Sequence, residues 1–89
     1  MNFNVNPKDL SNNALMIFNF YKNLNDQNIK YNNTFTISMD MQYGSILSEG
    51  NFIDDVENAF DELQQNNIIK SYSKDLDITK NRCVFRFEC

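Results

Sequence analysis

The side chains with the most binding chemistry cluster towards the end of the chain. Lys70, Lys74, Lys80, Arg82 and Arg86 fall within residues 70–86, with Tyr72 among them. Cations can track phosphates while an aromatic ring stacks on a base, at about 1–3 kcal/mol per base. That combination suits single-stranded nucleic acid. A hairpin whose lysines merely guard a sheet edge would look the same. A second cluster has the opposite sign. Asp54, Asp55, Glu57, Asp61 and Glu62 occur with no Lys or Arg between residues 51 and 67. Acids at helical spacing form either a solvated face, favoured early in the helix by its dipole, or a docking surface for a basic partner.

Catalytic groups are scarce. The chain has no His, the commonest acid–base residue. No Ser or Cys has a base arranged around it, and no glycine-rich loop is present to cradle phosphate. Asp54 and Asp55 are adjacent, so on a helix they point about 100° apart rather than at one metal ion. A tyrosine nucleophile would lack metal ligands to assist it. Cys83 and Cys89 stand six positions apart in one expected strand, a span of roughly 20 Å at ~3.3 Å per residue. A disulfide needs Cα atoms within about 7 Å, and two thiols without His do not make a zinc site. The expectation is a binding protein, not an enzyme, with no cofactor, no metal and two reduced thiols.

The 89 residues allow one domain and one core, and 42 % hydrophobic residues with eight Phe suffice to build it. Asn is in excess, at sixteen against two Gly and one Pro. AT-rich coding accounts for such an excess, but Asn also favours caps and turns. No segment approaches the ~20 apolar residues of a membrane span. The first ten residues lack the basic and apolar regions of a secretory signal. Asn32-Asn33-Thr34 matches a glycosylation sequon, which chance explains in so Asn-rich a chain. The expected location is cytoplasmic, with no membrane and no small-molecule substrate.

The elements that must position the two clusters follow from periodicity. Residues 1–9 read as a polar arm. Ser11 reads as a helix N-cap, and Leu10, Ala14, Ile17, Phe18, Tyr21 and Leu24 form one apolar stripe behind it. Met16 and Phe20 lie off that stripe. They are expected to widen the buried face, the alternative being exposure for a partner. Thr34–Ile37 is β-branched and aromatic, a short strand. Ser38 reads as a second N-cap, followed by a short helix through Met39, Tyr43, Ile46 and Leu47. Ser48-Glu49-Gly50 reads as a turn. Phe52, Val56, Ala59, Phe60 and Leu63 predict a third helix ending at Asn66-Asn67. The period then changes to two. Residues 68–74 and 82–89 read as strands joined by a polar loop over 75–81.

Helix, short strand, helix, helix and hairpin is the order of a winged helix-turn-helix, an α+β fold of three helices, a small antiparallel sheet and a C-terminal β-hairpin wing. Residues 10–89 would form this domain. The segments Ser11–Tyr21, Thr34–Ser38, Val56 through Phe60-Asp-Glu-Leu63, Ile68–Tyr72 and Val84–Phe87 resemble the winged-helix domains of plasmid and mobile-element replication proteins. The likeness is one of pattern and implies a DNA-handling role near replication.

Charge modifies that implication. Residues 1–67 carry three cations against nine acids, and residues 68–89 five against three, for a net −4. Duplex affinity comes largely from cations neutralising phosphates. An acidic third helix therefore argues against major-groove reading. The expected function is a small replication-related accessory protein of a plasmid, phage or mobile element, touching single-stranded DNA through Lys70, Tyr72, Lys74, Lys80, Arg82 and Arg86. The alternative is a protein-interaction module, as dimer, adaptor or phage-type inhibitor, acting through Asp54, Asp55, Glu57 and Asp61 or through Met16 and Phe20. A net −4 is mild for a mimic of DNA charge.

Overall fold

A computed structural model describes residues 1–38 and 51–89, the side chains of 51 and 52 excepted. A 3-10 turn at Pro7–Asp9 leads into α1 (Asn12–Asp26), then β1 (Thr34–Ser38). After the undescribed residues come α2 (Asn51–Gln65), β2 (Ser71–Asp77) and β3 (Arg82–Glu88). The strands form one antiparallel sheet in the order β1-β3-β2. The three-helix winged helix-turn-helix expected from the sequence is not what is found. Among the described residues there are two α-helices with a three-stranded antiparallel sheet, a broadly α+β arrangement. The helix expected through Met39–Leu47 and the turn at Ser48–Gly50 lie outside the described residues. Ser38, read as that helix's cap, is the last residue of β1, where it faces Arg82.

Both helices end through the same device. Asn28 and Asn67 sit at φ 58° and 60°, the left-handed region. Beyond them Ile29 N–H donates to the Leu24 carbonyl and Ile68 N–H to the Leu63 carbonyl, each at 2.9 Å. These are Schellman closures, with Asn in the place where Gly is usual and an apolar pair across each closure. The α1 start is as expected, with Ser11 Oγ accepting from Ala14 N–H. At the two helix ends Asn thus supplies backbone geometry for which Gly is the usual residue.

The hairpin is shifted relative to the sequence reading. Ile68 and Ile69 are buried connectors out of α2 rather than strand residues. The strand begins at Ser71 and runs on through Asp75 to Asp77, so the tip is residues 78–81 rather than 75–81. Asp75 and Asp77 are polar, which suggested loop. On a strand with one solvated face such residues are acceptable, because only alternate side chains face the core. The tip closes with Asn81 N–H on the Ile78 carbonyl at 3.2 Å and Asn81 at φ 54°. Asp77 holds it from within, accepting from Thr79 Oγ1 at 2.7 Å and Lys80 N–H at 3.1 Å. These donors, the hydroxyl first, hold the Asp77 carboxyl below its usual range.

The core lies between the helices and one face of the sheet. Phe60 is fully buried there, stacked on Phe85 at 5.2 Å and 9°, with Phe35, Phe87 and Tyr72 within 6.0 Å. Burying one such ring contributes about 1.5–3 kcal/mol. The first residues pack back onto the domain. Phe3 packs edge-on against Phe18 at 5.6 Å, and Asn2 N–H donates to the Ile68 carbonyl at 2.8 Å. Met1, Phe3 and Val5 are half-buried against the core.

Candidate functional site

Strand register decides where the hairpin's side chains go. Residues directly opposite in an antiparallel pair share a face. Ser73 faces Arg86, Lys74 faces Phe85, and Asp75 faces Val84. Even-numbered residues of β2 therefore share a face with odd-numbered residues of β3. Phe85 and Phe87 point to the core, so Tyr72 and Lys74 do too. Arg82 and Arg86 take the opposite face, with Asp75, Asp77 and Glu88. The cations that lay together in the sequence are divided between two sides of the sheet.

On the helix side the hairpin meets α2. The Tyr72 hydroxyl donates to Asp61 Oδ1 at 2.5 Å, and its ring lies 5.7 Å from Phe60. Partial burial, then the bond to Asp61, push the Tyr72 hydroxyl well above the usual tyrosine range. Lys74 Nζ reaches Glu57 Oε1 at 3.0 Å, and the bond to that carboxylate raises the Lys74 pKa. A third acid of α2 also acts within the fold, since Glu62 Oε2 accepts from Ser11 N–H at 2.6 Å. Three of the five acids between residues 54 and 62 are thus bound to neighbouring elements. Asp54 and Asp55 stay exposed.

On the outer face Arg86 pairs diagonally with Asp75, Nη1 to Oδ2, at 2.6 Å. Both side chains are largely exposed, so the pair contributes at most about 1 kcal/mol. It still leaves Arg86 beside a carboxylate rather than bare. Lys70, Lys80 and Arg82 form no ion pair with another described residue. Lys80 and Arg82 stand at the hairpin tip, whereas Lys70 stands at its base. Seven strand residues at ~3.3 Å each separate the two ends by roughly 20 Å. The six residues grouped as a nucleic-acid surface do not converge.

The expectation that Met16 and Phe20 widen the buried face fails. Met16 is 61 % exposed and Phe20 50 % exposed. They lie four apart on α1 and so share one side of it. Phe20 leans towards β1, its ring 6.4 Å from Phe35. The neighbouring helix positions Asn12, Asn13, Asn19 and Asn23 are exposed and uncharged. Ile29, Leu76 and Ile78 are open as well, Ile29 just past the end of α1 and the other two near the hairpin tip.

Cys83 is buried and Cys89 exposed, and both thiols are free. Burial pushes the Cys83 thiol up. Among the described residues no group of three or more Cys, Asp or Glu side chains is placed to hold a metal ion. No described helix is long and apolar enough to cross a membrane. The sequence missed the role of Glu62 and the pairing of Asp61 with Tyr72. Neither has a local signature, because each joins residues from different elements.

No protein-family model matches the chain, and no curated protein or solved structure matches it either. Its function must therefore be argued from its own surfaces.

Proposed function

We propose that this chain is a protein-interaction domain whose contact surface is the α1 side bearing Met16 and Phe20. One observation carries the reading. Across the α2–hairpin seam Lys74 pairs with Glu57 and Tyr72 with Asp61, whereas Met16 and Phe20 stand open side by side on one face of α1. Apolar anchors within a neutral polar rim are what a protein interface uses. The free thiols fit a reducing compartment, so the domain acts in the cytoplasm.

Affinity capture with folded Met16→Glu and Phe20→Glu variants tests this. Protein partners held by the unchanged chain should be lost from both, and a Lys70, Lys80 and Arg82 to Ala variant should keep them. In parallel, fluorescence anisotropy with short single-stranded oligonucleotides at low salt should show no binding at roughly tens of micromolar, about 6 kcal/mol. Salt-dependent binding that the alanine variant abolishes and Phe20→Glu leaves intact would overturn the proposal in favour of nucleic acid.

A further inference from the structure

We draw no further inference here: the strongest candidate, the cavity of about 420 Å³ at the base of the hairpin that Lys70 and the free cysteine Cys89 help to line, rests on one exposed thiol, and nothing among the described residues points to a ligand there.

Discussion

Tyr21 shows how one side chain serves both helix and sheet. It is 1 % exposed, and its ring packs against Tyr31 at 5.1 Å and Phe87 at 5.2 Å, while its hydroxyl donates to the Thr34 carbonyl. Burial, with a smaller effect from Tyr31, pushes its pKa up to about 12 from 10.0. The folded pKa is raised, so the stability this group contributes is complete below pH 10 and is lost as pH rises through about 12. The buried Cys83 thiol acts in the same direction, starting near its ordinary value of 9.0. Urea unfolding followed from pH 8.5 upward should therefore show a falling midpoint. Tyr21→Phe should cost about 1 kcal/mol at neutral pH through the lost hydrogen bond. It should also flatten the alkaline fall. A variant whose alkaline profile overlays the unchanged chain would show that Tyr21 is not the titrating group.

Between α2 and the hairpin, apolar contact does most of the work and charge finishes it. Lys74 to Glu57 is a partly exposed pair with side chains 36 % and 33 % accessible. A double-mutant cycle with Lys74→Met and Glu57→Gln should return a coupling of about 0.5 kcal/mol, smaller in high salt. Phe60 beneath it is a different matter, and Phe60→Ala should cost about 3–5 kcal/mol. That is a large fraction of the total stability expected for a domain of this size. The connection after α2 allows a sharper prediction. Asn67 holds the left-handed closure of the helix. Asn67→Ala should destabilise by about 1 kcal/mol, while Asn67→Gly should stay near neutral, because only the former adds a Cβ penalty without the amide's tolerance. Equal melting temperatures for the two would remove the backbone explanation.

Charge is separated along the sequence but partly compensated in space. The acids of α2 and the cations of the hairpin meet at Glu57 with Lys74, and the outer face pairs Asp75 with Arg86. This compensation lowers the positive charge that the hairpin can offer a phosphate. Removing it should be measurable: Glu57→Gln with Asp75→Asn frees two cations. The double variant should bind single-stranded oligonucleotides more tightly than the unchanged chain. Each phosphate gained should steepen the log–log salt dependence by about 0.7. No change in affinity at low salt would mean that these two ion pairs do not govern how the hairpin meets nucleic acid.

Much of this was legible in the chain itself. The Ser11 cap, the core stripe of α1, the stripe through Phe60 and Leu63, the Asn67 stop and the apolar alternation of β3 are local patterns, written within a few residues of where they act. The opposed charge clusters were legible too. Their relation was not, because a face of a sheet is set by register, and a slip of one residue exchanges the two faces. With Asp75 and Asp77 in a loop, Lys74 and Tyr72 would be free to join Arg82 and Arg86. The actual four-residue tip turns them onto Glu57 and Asp61 instead. Exposure of Met16 and Phe20 was likewise decided by packing, since helical spacing tells which residues share a side but not how wide a side the neighbours cover. The sequence by itself determined that this chain would carry acid, base and apolar clusters on an α+β framework. Tertiary structure alone decided that Glu57 and Asp61 would meet Lys74 and Tyr72 within the fold and that Met16 and Phe20 would be left outside, because only long-range pairing brings residues from different elements within reach.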